Sequence, residues 1–177
     1  MVERVMGIDI SESMLDEAQK NCAAHGLKNV TFRKSDDALS ALDESFDFIH
    51  SYIVFQHIPV VRGRQIFAGL IDRLADGGIA AIHLTYAKSA YEKTLGVKRP
   101  QAWRALTRRR TFSYRERSRN LEMQMNSYNL NELLFIMQGK GIRHFHVEFC
   151  DHDGQLGVIL YFRKTPAAQR IPGDYCP

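Results

Sequence analysis

The stretch Val5 to Ile10, VMGIDI, runs directly into SESMLDEA, and this junction constrains the fold more than any other part of the chain. A short apolar run with no polar alternation suits a strand covered on both faces, as in a parallel sheet. It ends in a carboxylate, Asp9, and a helix follows at once. Ser11 or Ser13 can cap that helix, and Ser13 with Asp16 has the spacing of a capping box. Met14, Leu15, Ala18 and Cys22 follow at helical intervals, and Gly26 stops the helix.

The same alternation continues downstream. Val30 to Arg33 reads as a second strand ending at Ser35-Asp36-Asp37, and Leu39 to Leu42 as a short helical turn. Phe46 to Ser51, FDFIHS, is a third strand. Gly63 to Leu74 reads as a helix with Ile66, Leu70 and Leu74 on one side, and Asp76-Gly77-Gly78 as a turn. Ile79 to Leu84 is a fourth strand. Connections of this length between apolar strands imply crossovers and a mostly parallel sheet. The spacing predicts a helix over Leu130 to Gln138, capped by Asn129 and stopped by Gly139 and Gly141. His144 to Phe149 and Val158 to Arg163 then form two closing strands around Asp151-His-Asp-Gly, an antiparallel hairpin.

The length of 177 residues suits one domain with its own core, over residues 1–165, followed by a tail at 166–177. Residues 87–126 break the rhythm and read as a basic insert or lid, anchored by Trp103 and Tyr114. Lys98 to Arg119 carries nine basic residues against Glu116 alone, so with a net charge of +4 overall the remainder is net −4. A basic character confined to one segment argues against a nucleic-acid footprint. Arg108-Arg109-Arg110 can contact an anionic substrate, or the run is simply a solvated face. No run of about 18 apolar residues spans a membrane. Three cysteines, Cys22, Cys150 and Cys176, lack metal-ligand spacing, and no metal is expected. A reduced cytoplasmic chain fits them best.

Three blocks together resemble the class I S-adenosylmethionine-dependent methyltransferases: VMGIDISESMLDEAQKN, VTFRKSDDALSALDESFDFIHSYIVFQHIP and LADGGIAAIHLTY. NSYNLNELLFIMQGKGI is similar to the helix before that family's last hairpin. The resemblance covers roughly Val2 to Lys164. It implies an α/β, Rossmann-like three-layer fold, with S-adenosylmethionine as cofactor and a small molecule or glycan as methyl acceptor. One departure is large. The family's first strand ends in an acidic-x-Gly-x-Gly loop around the methionine half of the cofactor, and Met6-Gly7 lies inside the family's second strand instead. In the family that first strand lies between the second and the fourth. Its loss exposes two strand edges, and buried unpaired backbone groups cost about 1–3 kcal/mol each. The domain is therefore expected to be incomplete at its N-terminus: a truncated form lacking an N-terminal segment, a protein completed by a partner or a second copy, or one whose remaining strands close the gap.

The resemblance implies roles residue by residue. Asp9 accepts from the ribose hydroxyls; its other reading is a strand-end or helix-capping carboxylate. Ile10 and Met14 pack on the adenine or ribose, or belong to the core. Asp36, or its neighbour Asp37, takes the adenine amino group, with Ala38 against the ring; a solvated turn carboxylate is the alternative. Ser51 and Tyr52 lie near the sulfonium and the substrate. His57 is the candidate for positioning or deprotonating a hydroxyl, and Gln56, His83 and Tyr86 for substrate contact. His83, inside an apolar strand, also reads as a hydrogen-bonded core histidine. Two competitors stand beside the methyltransferase reading. One is a non-catalytic remnant or binding module that has lost its cofactor. The other is a nicotinamide-dependent dehydrogenase, which lacks its own Gly-x-Gly-x-x-Gly loop here and leaves the later blocks without account.

Overall fold

The computed structural model describes residues 2–88, 125–152 and 155–166. The basic run from Lys98 to Arg119, with Trp103 and Tyr114, and the tail beyond Pro166 lie outside the described residues.

The element order is β1 (Val5–Asp9), α1 (Glu12–Ala24), β2 (Val30–Lys34), β3 (Phe46–Ser51), a 3-10 turn (Phe55–His57), α2 (Val60–Asp72), β4 (Leu74–Lys88), α3 (Leu130–Gly139), β5 (Phe145–His152) and β6 (Gln155–Arg163). β1 and β2 pair in parallel, with Val5 opposite Val30 and Asp9 opposite Lys34. β3 and β4 also pair in parallel across the α2 crossover. β6 runs antiparallel to β4 and to β5, which is the expected terminal hairpin.

The strands form two sheets, β1-β2 and β3-β4-β6-β5. Among the described residues β1 pairs only with β2, and β3 only with β4, so one edge of each strand faces the break. The described strands do not close the gap. The consequence for packing is large. The core is built from Phe67 and Ile71 of α2, Leu133 and Met137 of α3, Ile82 and Leu84 of β4, and Val158, Leu160 and Phe162 of β6. Residues 2–38 contribute no fully buried side chain. α1 packs on β1 and β2 with no buried residue of its own.

The β2–β3 connection bridges the break. Leu39 and Leu42 enter the main core, each stabilising by about 1.5–3 kcal/mol through burial. Leu39 closes on Gly69 of α2, and Asp37 forms a two-pronged ion pair with Arg62 of the same helix. These residues form turns and not the expected helical turn, because Leu39 adopts a left-handed conformation (φ 53°) that ends any helix.

Other boundaries also move. α2 starts at Val60, behind Pro59, and ends at Asp72; Leu74 belongs to β4. The Asp76-Gly77-Gly78 turn survives as an irregularity inside β4. Phe46 pairs with Leu74 and Phe48 with Ile79, so the residues between leave the ladder, with Gly77 at φ 79°. Lys164 closes this excursion through Gly77 N–H and Gly78 C=O. β4 runs on to Lys88, taking the first residues of the expected insert. At the insert's other end Asn126 N–H donates to Gln56 C=O. In the hairpin, His152 pairs with Gln155, so Asp151 and His152 are strand residues and not turn residues. Ser11, not Ser13, caps α1, accepting from Met14 N–H at 3.4 Å; Ser13 bonds the Ser11 hydroxyl. No helix among the described residues is long and apolar enough to cross a membrane.

Candidate functional site

A cleft of about 700 Å³ opens at the break between the two sheets. Its walls follow from the topology. β1 and β3 both end there, and the chain leaving β2 crosses it. Strand ends at a break in sheet order are where α/β folds take ligands, and the volume suits a small organic molecule.

Of the residues singled out in the sequence, Asp9, Ile10, Asp36, Asp37, Ser51, Tyr52 and His57 line this cleft. Met14 and Ala38 are exposed and lie outside its lining. Gln56, His83 and Tyr86 also lie outside it.

Asp9 ends β1 and sits exposed at the rim. Its Oδ1 accepts from Ser11 N–H at 2.8 Å, and its backbone carbonyl accepts from Ser35 N–H. The helix-capping role is thus present, and Oδ2 has no protein donor among the described residues. Asp36 accepts from both the amide and the hydroxyl of Ser40, which holds its carboxyl below the usual range. Asp37 is held low by Arg62, whose Nε and Nη2 reach its two oxygens at 2.6 Å each. The rim is therefore anionic at neutral pH, with lone pairs beyond those its protein partners use.

The floor is aromatic. Phe48 and His50 of β3 and Tyr52 just beyond it alternate, so their rings share one face, and successive rings stack with centroids 6.1 and 6.4 Å apart. Phe48 is 59% exposed, an unusual position for that side chain on a strand. Ile53 follows in a left-handed conformation (φ 58°), a strained state for a β-branched residue. Leu39 and Ile53, the non-glycine residues with positive φ among the described residues, both line the cleft.

The 3-10 turn sets the histidine. Thr85 Oγ donates to the buried Gln56 Oε1 at 3.1 Å, which fixes the amide orientation. Gln56 Nε2 then donates to His57 Nε2 at 3.1 Å. With Nε2 accepting, neutral His57 carries its proton on Nδ1. Gln56 is a buried strut of the turn, with its carbonyl taken by Asn126. Tyr128 anchors the same turn from below, donating to Ile58 C=O at 2.8 Å; burial pushes its phenol up to about 12. Tyr86 packs edge-on against Phe149.

His83 is 1% exposed, and Nδ1 accepts from Ile53 N–H at 3.3 Å, so the core-histidine reading describes its environment. Its ring lies against Tyr52 and His152. Sequence reasoning missed Arg62, Phe48, His50 and the His152 neighbourhood. The alternation of FDFIHSY was a usable signal for the aromatic floor. The Asp37–Arg62 pair spans 25 residues and left no local signal.

The strand order and connections define a Rossmann-like α/β fold, the fold of methyltransferases of known structure. Solved structures agree. The chain is similar to the magnesium protoporphyrin IX methyltransferase of Synechocystis PCC 6803 with bound SAH, at TM-score 0.62 and 18% identity, over 92% of this chain and 64% of that one. It is also similar to the N-methyltransferase NodS of Bradyrhizobium japonicum WM9, at TM-score 0.55 and 13% identity, over 92% and 74%. In sequence, residues 1–78, less than half of the chain, match the family model described as a methyltransferase domain. An uncharacterised protein of Rickettsia prowazekii (strain Madrid E) is 35% identical over 80 residues, which cover 44% of this chain. The chain spans 14% of the length of that relative.

Proposed function

We propose that the cleft binds the nucleoside half of S-adenosylmethionine, and that the chain serves methyl transfer to a small molecule or glycan. One observation carries this reading: Asp9, Asp36 and Ser51, far apart in sequence, converge on one cleft at the ends of β1, β2 and β3. The residues fit a nucleoside. Asp9 Oδ2 accepts from a ribose hydroxyl, the Asp36-Asp37 rim accepts from an exocyclic amine, and the Phe48-His50-Tyr52 face and Ile10 cover apolar surface. For the methionine half, no glycine-rich backbone cradle lines the cleft among the described residues.

The bound cofactor supplies an electrophilic methyl group, so alignment does most of the catalysis. The protein orients the two reactants. His57 lines the mouth of the cleft and helps position the acceptor there. Gln56 occupies its Nε2, so in this reading His57 is a positioning residue and not a general base. The basic segment outside the described residues supplies a match for an anionic acceptor.

A second reading keeps the fold without the cofactor. The β1 and β3 edges left unpaired among the described residues, and the lack of buried side chains over residues 2–38, favour it. Thermal unfolding with S-adenosylhomocysteine or NAD separates the readings. The proposal expects a concentration-dependent rise in Tm with S-adenosylhomocysteine and none with NAD. An equal response to both, or none to the first, overturns it.

A further inference from the structure

Beside the cleft, three side chains converge across the middle of the larger sheet. His83 projects from β4, and Cys150 and His152 from β5, while β6 runs between those strands. Gly157 of β6, opposite Cys150 in the ladder, makes their approach possible. A Cβ built there would fall on His83 Nε2 and lie 2.8 Å from Cys150 Sγ. The absent side chain lets His83 and Cys150 close over Gly157, and one ligand atom from each of the three residues lies within 4.8 Å of the others. His83 Nε2 is buried and has no hydrogen-bond partner among the described residues. Burial and the neighbouring His152 keep the His83 ring neutral.

We propose that His83, Cys150 and His152 form a binding site for one zinc-type divalent cation. Two imidazoles and one thiolate are a ligand set that zinc favours over harder cations. Bond lengths of about 2.0 Å to nitrogen and 2.3 Å to sulfur put tetrahedral donors about 3.4–3.6 Å apart. The three donors reach that spacing by closing about 1 Å, within the reach of side-chain rotation. Coordination releases the Cys150 thiol proton to solvent. It also moves the His83 proton from Nε2 to Nδ1, which opens the long contact to Ile53 N–H. The Tyr52 hydroxyl, 3.5 Å from His152 Nε2, or a water occupies the fourth position. None of the three donors lines the cleft, which the site adjoins through Tyr52 and Ile53.

Chelator-stripped protein titrated with Co²⁺ tests the proposal. The expected result is one equivalent bound, with tetrahedral ligand-field bands and a thiolate-to-cobalt charge-transfer band, both lost on adding Zn²⁺. Cys150→Ser should remove the charge-transfer band. His152→Gln should weaken binding at least tenfold. Cys22→Ser and Cys176→Ser should leave the spectrum unchanged. Far-UV circular dichroism checks that each variant is folded. An octahedral spectrum, no stoichiometric binding to the folded chain, or a charge-transfer band that survives Cys150→Ser overturns the site.

Discussion

Gly63 of α2 faces Tyr128, and replacing it with alanine should destabilise the protein even though alanine is the better helix former. A Cβ at this position would fall on the Tyr128 hydroxyl and lie 2.7 and 2.8 Å from ring carbons Cζ and Cε1. Tyr128 cannot retreat easily, since it is 1% exposed and packed edge-on against Phe55. Its displacement breaks the bond to Ile58 C=O and leaves a buried acceptor short of a partner. Overpacking costs about 1–3 kcal/mol and the orphaned group about 1–3 kcal/mol. Improved helix propensity returns about 0.5–1 kcal/mol. The net loss is about 1–5 kcal/mol, read as a lower urea midpoint at unchanged m. Gly139→Ala is the control, because nothing lies within 4 Å of a Cβ there, and it should be neutral or slightly stabilising. Tyr128→Phe removes the atom that clashes most, so Gly63→Ala should cost less in that background, a coupling a double-mutant cycle reads directly. A Gly63→Ala protein as stable as the parent would refute the reasoning. The site is involved too, because Tyr128 holds the turn that carries His57.

Three further outcomes follow from the cleft. The Asp37 carboxyl is held low by Arg62, so the pair's contribution to stability is present above the usual aspartate range and is lost as pH falls through the depressed value. In acid titrations Arg62→Gln should therefore flatten the stability loss below about pH 4; an unchanged profile counts against the pair. Ile53→Asn should be tolerated or stabilising by about 1 kcal/mol, because asparagine accepts a left-handed backbone and Ile53→Val does not relieve it. Equal melting of the two variants would show that the strain is absent. Gly157→Ala should lower stability by about 1–3 kcal/mol by driving a methyl group into His83 and Cys150, and thermal unfolding checks it.

Much of the fold was legible because its signals are local. Apolar runs ended by Asp9, Asp36 and Ser51 gave three strand ends, and Asn129 and Gly141 bounded α3 as read. The misplacements have physical causes. Val60 and Val61 look like strand residues, yet Pro59 starts α2 just before them. The glycines at 77 and 78 suggested a turn, yet Lys164 holds them against the end of β6. Leu39 and Leu42 suggested a helix, but their spacing serves burial in a bridge between sheets. At the site, strand-end carboxylates were visible because topology alone brings them together. The pairing of Asp37 with Arg62, and of His83 with Cys150 and His152, depends on packing between distant segments. The tautomer of His57 depends on Thr85, which the sequence places nowhere near it.

The central claim is that the cleft between β1 and β3 recognises a nucleoside through Asp9. Calorimetric titration of S-adenosylhomocysteine into the chain, with Asp9→Asn beside it, tests this most directly. Asparagine keeps an oxygen for the Ser11 amide, so α1 retains its start, but it loses the charge and acceptor capacity offered to the ribose. The account expects micromolar binding weakened about 10- to 100-fold in Asp9→Asn, the equivalent of a charged hydrogen bond of about 1.5–3 kcal/mol. Equal affinity in the two proteins, or no binding by the folded parent, would contradict it.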